Sequence, residues 1–234
     1  MAGEQHRRRL RALLRLAGIT RAGDLGVVDA AFVHESHAKE RGGGSNERME
    51  FFGDSILGFI TAGWLFDRFG DEPEGMLTLR KAAIVNDRQL AQTAQRLGFG
   101  ELVQLGTGMR AAGGAENVSI LADAFEAFVA ALHIGYGLEK ARRFVVGEHI
   151  ERLDHETDAL LDAKTRLQHY AQAHLSATPV YHDTSRGTPQ QPAFNSRVSV
   201  KGKTLGKGSG PSKKAAQQAA AQAALLHLQA VQQA

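Results

Sequence analysis

Three acids fall within ten residues of "NERMEFFGDS", positions 46–55: Glu47, Glu50 and Asp54. On a helix they stand at i, i+3 and i+7, one shared stripe, while Phe51, Phe52, Ile56 and Leu57 fall on other sides. A second pair, Asp123 and Glu126, sits at i, i+3 in "SILADAFEAFVAAL". Its neighbours Ile120, Leu121, Ala122, Phe125 and Phe128 are apolar, and Lys or Arg partners are scarce. A buried carboxylate without a counter-charge costs on the order of several kcal/mol, so this pair calls for a cation. Hard oxygens gathered from two helices suit Mg²⁺ or Mn²⁺. For Glu47 and Glu50 alone, a solvated acidic face accounts for the pattern equally well.

Helices must position these acids, and the spacing supplies them. From about 5 to 150, apolar residues recur at three and four in "LRALLRL", "SILGFITAGWLF", "RQLAQTAQRLG", "ILADAFEAFVAALHIGYG" and "EKARRFVVGEHIERL". Glycines at 42–44, 98–100 and 113–114 punctuate them, and this part reads as all-α. Ser45 or Asn46 offers an N-cap to the first acidic helix, which sets Glu47 near its positive end. The arginine-rich start "RRRLRALLRLAG" reads as an amphipathic helix packing Leu10, Leu13, Leu14 and Leu16, rather than as a transit peptide.

The pattern changes near Asp154. "HETDALLD" reads as a linker into a helix through "KTRLQHYAQAH", followed by three short alternating segments and the alanine-rich helix "PSKKAAQQAAAQAALLHLQAVQQA". The expected architecture is therefore α+β: an all-α domain over 1–153, a linker over 154–159, and an α-β-β-β-α module over 160–234. Residues 1–154 carry 19 Lys and Arg against 21 Asp and Glu, whereas residues 155–234 carry 9 against 4. The overall +3 thus hides −2 and +5, and the basic module is built to meet a polyanion. The absence of cysteine excludes disulfides and cysteine-ligated zinc, and fits a reducing cytosol. No apolar run approaches the ~20 residues that cross a bilayer, so a cytoplasmic protein without a membrane partner is expected.

"HESHAKERGGGSNERMEFFGDSIL" resembles the ribonuclease III signature, and "ENVSILADAFEAFVAAL" resembles the second acidic motif of that family. The resemblance covers essentially the whole chain, with a catalytic domain first and a double-stranded-RNA-binding domain after it. It implies that Glu50, Asp54, Asp123 and Glu126 are the catalytic metal ligands. It implies support at the cleavage site from Glu47 and Glu74, although Glu74 in "DEPEGML" reads equally as an ordinary loop acid. Phe51 matches a position that enters a pocket of a second subunit, so a homodimer is implied, whereas Phe52 reads as core packing. The implied activity is endonucleolytic hydrolysis of double-stranded RNA to 5′-phosphate and 3′-hydroxyl ends with short 3′ overhangs, in processing of ribosomal and other RNA. Two Mg²⁺ ions ~3.5–4 Å apart, with Mn²⁺ able to substitute, would ligate the phosphate and activate water. No histidine base or organic cofactor is then required, and His34 more plainly packs or hydrogen-bonds near the signature helix. The alternative is a non-catalytic double-stranded-RNA-binding or ribosome-associated protein that keeps the fold.

In the second module, "KTRLQHYAQ" and "GKGSGPSKKAAQQAAAQAAL" resemble a double-stranded-RNA-binding domain. Lys213 and Lys214 at a helix start would meet phosphates, with Ser212 as cap. Thr165 and Gln168, at i, i+3, would face 2′-hydroxyls in the minor groove. Gly206, Gly208 and Gly210 would let backbone approach the RNA. Gln190 takes the place of the histidine that usually enters a minor groove, His169 stands where a glutamate is common, and Met109 departs from the family pattern after "GTG".

Overall fold

The structure, a computed structural model, describes residues 2–21, 23–153, 163–188 and 191–232. The expected linker 154–159 and Gln190 lie outside the described residues. The chain divides into two units, Met1–Gly70 with Arg80–His155, and Asp71–Leu79 with Glu156–Ala234.

Leucine spacing makes α1 (Ala2–Leu16) amphipathic and buries Leu10, Leu13 and Leu14. Leu16, expected with them, is 38% exposed. The helix stops there because Gly18 takes a positive φ, which lets Gly18 N bond Arg15 O and Ile19 N bond Leu14 O, both at 2.9 Å. Ala17 and Ile19 turn inward in place of Leu16.

Short helices α2 (Gly26–Ala30) and α3 (Glu35–Arg41) lead to the long α4 (Glu47–Arg68). α5 (Glu74–Ile84), α6 (Asp87–Arg96) and the short α7 (Thr107–Ala111) follow. α8 (Val118–Tyr136) and α9 (Leu138–Val145) come next, then a π-helical turn at Val146–Ile150 and α10 (Glu151–Leu153). Within the described part of this unit, extended pairing is limited to one bridge, Val33 with Gln104.

α8 is the axis of the core. Its residues Ala124, Phe125, Ala127 and Phe128 are fully buried, and Phe32, Phe99 and Phe144 close round them. Phe32–Phe99 and Phe128–Phe144 meet edge-on with centroids 5.0 Å apart, the geometry that ring quadrupoles favour. Among the described residues α8 is also a helix long and apolar enough to cross a membrane, which amends the expectation that no such run exists. Here its apolar surface is spent on the core instead.

His149 is buried in this core and fully used. Its Nδ1 faces Thr93 Oγ1 at 2.8 Å, and its Nε2 faces the Ile84 carbonyl at 3.0 Å. A carbonyl only accepts, so Nε2 carries the proton and Nδ1 accepts from Thr93. Burial holds the imidazole down at about 4, against an ordinary value near 6.5. A depressed histidine contributes stability above its unfolded pKa, which is lost as pH falls from about 6.5 through about 4. The expected loss is ~3 kcal/mol, read as a falling Tm, and His149→Gln should flatten that slope.

In the second unit α11 (Ala163–Leu175) and α12 (Lys213–Gln232) pack on one side of a three-stranded antiparallel sheet in the order β1-β2-β3. The strands are β1 (Val180–Thr188), β2 (Gln191–Val200) and β3 (Lys203–Gly210). Leu167, Val198, Ala220, Ala221, Ala224 and Leu225 form the core between them. The glycines of β3 serve this packing, not an approach to RNA. A Cβ at Gly206 or Gly208 would collide with the α12 backbone at Ala219–Ala220, and one at Gly210 would lie 2.7 Å from the Ala215 Cβ. Alternate glycines facing α12 let an alanine-rich helix sit unusually low on the strand.

Candidate active site

α4 and α8 meet backbone to backbone at one point. A Cβ added to Gly53 would land inside the Glu126 carbonyl, with even the Glu126 Cα 3.2 Å away. Interior glycine weakens a helix by ~1 kcal/mol relative to alanine, so its presence at this crossing reflects a close approach. Glu50 and Asp54 flank Gly53 on α4, and Asp123 and Glu126 flank the contact on α8. The close approach therefore sets the four carboxylates of the two motifs against one another.

Electrostatics report the same proximity. Burial pushes Glu126 up to about 8, and Asp54, Asp123, Glu50 and Asp87 push it further in the same direction. Burial also raises Glu50, reinforced by Asp123 and Glu47. Asp123 is raised by burial and by Asp87, against a lowering influence of His34. Among the described residues, the ion pairs include none of Glu50, Asp54, Asp123 and Glu126. Such an uncompensated set fits divalent cations. Yet among the described residues no three His, Asp or Glu side chains are drawn together closely enough to hold an ion by themselves. A loose set suits Mg²⁺, which keeps several waters and takes one or two carboxylates together with substrate phosphate.

The other candidates fall less evenly. Glu47 is exposed at the start of α4 and accepts from Ser45 Oγ at 2.5 Å. Neither Ser45 nor Asn46 caps the helix with its side chain. Asn46 is buried and donates to the Ala31 carbonyl at 3.2 Å, which ties the signature to α2. Glu74 opens α5 and accepts from Thr78 Oγ1 at 2.9 Å, but it belongs to the 71–79 segment that groups with the second unit. The first unit alone does not bring it to the four acids. His34 caps α3, its Nδ1 accepting from Ser36 N at 3.2 Å.

Two features escaped the sequence reading. Gly53 carried a signal, a glycine between an aromatic and an acid inside a helix. Asp87, which raises both Asp123 and Glu126, carried none beyond following the N-cap Asn86.

Phe51 is 78% exposed, as a residue that enters another subunit must be. Phe52 corrects its assignment to the core: it is 40% exposed and meets His133 edge-on at 5.5 Å. Phe52, Phe59 and Phe66 lie at successive intervals of seven, so they share an outward stripe, joined by Ile134 among the exposed apolar residues.

In the second unit Thr165, Gln168, Lys213 and Lys214 line one depression with Lys164 and Gln217. Ser212 caps α12 as expected, its Oγ accepting from Ala215 N at 3.1 Å. Lys213 Nζ lies 3.1 Å from Asp183 Oδ2, which also accepts from Gln217 Nε2 at 2.8 Å. Gln217 Oε1 in turn accepts from Lys164 Nζ at 2.6 Å, so the floor of the depression is one hydrogen-bonded network.

A helical domain with paired acids, followed by an α-β-β-β-α module with a basic cleft, is the architecture of a nuclease joined to a double-stranded-RNA-binding domain. Comparison with known proteins agrees. Residues 24–153 match a family model described as ribonuclease-III-like, and 163–228 match one for the double-stranded RNA binding motif. The chain is 40% identical over 201 residues to Ribonuclease 3 of Thermobifida fusca, covering 85% of this chain and 84% of that one. It is 39% identical over 226 residues to Ribonuclease 3 of Syntrophobacter fumaroxidans, covering 92% and 93%. The solved nuclease domain of the Campylobacter jejuni enzyme superposes with a TM-score of 0.54 at 31% identity, over 59% of this chain and 92% of that one. The chain belongs to the ribonuclease III family, the divalent-metal-requiring endoribonucleases of double-stranded RNA.

Proposed function

We propose that this chain acts as a homodimeric, Mg²⁺-dependent endoribonuclease in which Glu50, Asp54, Asp123 and Glu126 hold the metal. The backbone contact of Gly53 with Glu126 carries this reading, because it makes two sequence-distant acid pairs one negative site. In this reading 1–153 is the catalytic and dimerisation domain, 154–159 the linker and 160–234 the RNA-binding domain. Two divalent cations held there would neutralise the scissile phosphate and lower the pKa of an attacking water. The four acids would orient phosphate and water from two rigid helices, with Mn²⁺ an acceptable substitute because the donors are all hard oxygens. Glu47 and Glu74 are assigned a supporting part at the cleaved bond. Products with 5′-phosphate and 3′-hydroxyl ends and short 3′ overhangs follow if two such sites face the two strands across a two-fold axis.

Double-stranded RNA would seat on the depression of Thr165, Gln168, Lys213 and Lys214, polar groups toward 2′-hydroxyls and lysines toward phosphates. Gln190 is assigned to the same surface. Ribosomal RNA precursors are the proposed natural substrates, in the cytoplasm. A labelled RNA duplex should be cut with Mg²⁺ and left whole with chelator. An intact duplex in both would move the assignment to the non-catalytic alternative, which no observation here favours.

The aromatic stripe supports the dimer. Phe51, Phe59 and Phe66 expose 78%, 64% and 70% of their surface, a contiguous apolar face of the kind that marks association. The comparison domain from Campylobacter jejuni is itself described with a region involved in dimer formation. Phe59→Glu with Phe66→Glu should give a folded monomer by sedimentation, with cleavage reduced. A dimer of unchanged mass would remove this stripe from the interface.

A further inference from the structure

The second unit carries a charged surface that the helix-side RNA contacts leave unused. On β1, Tyr181 and Asp183 turn toward the helices, so His182 and Thr184 turn away from them. Pairing places His182 opposite Arg197, and Arg197 opposite Lys207, three basic side chains in one row across the sheet. The next row on the same face is Thr184, Asn195 and Ser209, with Ser209 Oγ donating to Asn195 Oδ1 at 2.8 Å. Burial confirms the alternation: Val198 is fully buried between exposed Arg197 and half-buried Ser199, and Lys207 is exposed. The two rows line a single shallow depression.

Alone, this arrangement is unfavourable. Neighbouring strands lie about 4.8 Å apart, and like charges directly opposite destabilise an antiparallel pair. Among the described residues, the ion pairs include none of His182, Arg197 and Lys207. Between 163 and 234 the sequence has one acid, Asp183, and it is turned to the other side, where Lys213 and Gln217 hold it. An anion laid along the row would convert the repulsion into attraction. No Phe, Tyr, Trp, Leu, Ile or Met lines the depression, so it lacks the anchors of a protein interface. Cations beside hydroxyl and amide groups are instead the lining that a sugar-phosphate backbone meets.

We propose that this outer sheet face is a second RNA site, which takes the phosphate backbone of a duplex segment other than the one seated against α11 and α12. The proposal rests on the reading that the helix side holds the first segment. With a site on each face, one domain can bridge two arms of a folded transcript.

The full chain, kept from cutting by chelator, would be titrated with an RNA duplex of about 16 base pairs, the span of one such domain. At excess RNA the native chain should load one more duplex per chain than an Arg197→Gln, Lys207→Gln chain. The slope of log affinity against log salt for that weaker step should be steeper in the native chain by about 2, one for each phosphate released. Equal loading and equal slopes in the two chains would overturn the proposal. A Gln168→Ala, Lys214→Ala chain separates the two readings, since it should lose the tight step and keep the weak one. Loss of the weak step alone in that chain would also overturn the sheet site, whereas an unaltered tight step would count against the helix-side reading only. A native chain that prefers poly-glutamate to duplex at the weak step would overturn it in favour of an acidic protein partner.

Discussion

Glu126→Gln should lower cleavage of duplex RNA by more than ~10²-fold while making the metal-free protein more stable. Losing merely an outer partner of a metal ligand costs ~10–100-fold, and here a proposed ligand itself loses its charge. The stability gain comes from the same residue. Burial and three neighbouring acids raise the Glu126 carboxyl to about 8, so its charged form is disfavoured in the folded chain. Between its ordinary 4.5 and about 8 the folded state binds more protons than the unfolded one. Stability must then fall as pH rises through that window. Glu126 is only partly buried, and with solvent screening the loss is on the order of 2 kcal/mol. Thermal melts of the native and Glu126→Gln chains in chelator, from pH 5 to 9, should diverge toward high pH. Mg²⁺ should stabilise the native chain and act more weakly on the variant. Parallel melts, or undiminished cutting by Glu126→Gln, would remove this residue from the site.

Gly53→Ala should be nearly as damaging although it touches no charge. One methyl group has no room against the Glu126 carbonyl, so α4 and α8 must separate or shift along each other. Overpacking of this kind costs ~1–3 kcal/mol, which a domain with so large an aromatic core can absorb. The site cannot absorb it equally well, because a displacement near 1 Å of positioned groups costs ~10²-fold in rate. The expected result is a folded protein by circular dichroism that binds duplex RNA through its second domain and cuts it at least ~10²-fold more slowly. Gly63, on the same helix with nothing near its Cα, is the control: Gly63→Ala should leave cleavage intact. Full activity in Gly53→Ala would show that the helix crossing tolerates expansion and that the acids do not depend on it.

Much of the site was legible from local pattern. The i, i+3 and i+7 spacing put Glu47, Glu50 and Asp54 on one stripe, and α4 spans them all. The apolar company of Asp123 and Glu126 implied burial, and both carboxyls are indeed raised by it. The errors have physical reasons too. Phe52 reads as core because an aromatic beside apolar residues usually is, yet its interval of seven to Phe59 and Phe66 puts it on the outer stripe. A strand glycine permits close approach by anything, and Gly206, Gly208 and Gly210 are filled by α12 rather than by RNA. The glutamate pairing of Ser45 was equally hidden, because hydroxyl and backbone donors compete at a helix start.

The sequence by itself determined the element types, the two-part division, the separation of acidic from basic charge and the identity of the acids, because each follows from neighbours within a few residues. Only the tertiary structure decided that α4 crosses α8 at Gly53, that Asp87 adds its charge to the same place, and that His182, Arg197 and Lys207 share one exposed row. Those outcomes depend on which distant surfaces touch. Packing of whole helices and the register of strands settle that, and a one-dimensional period carries no record of it.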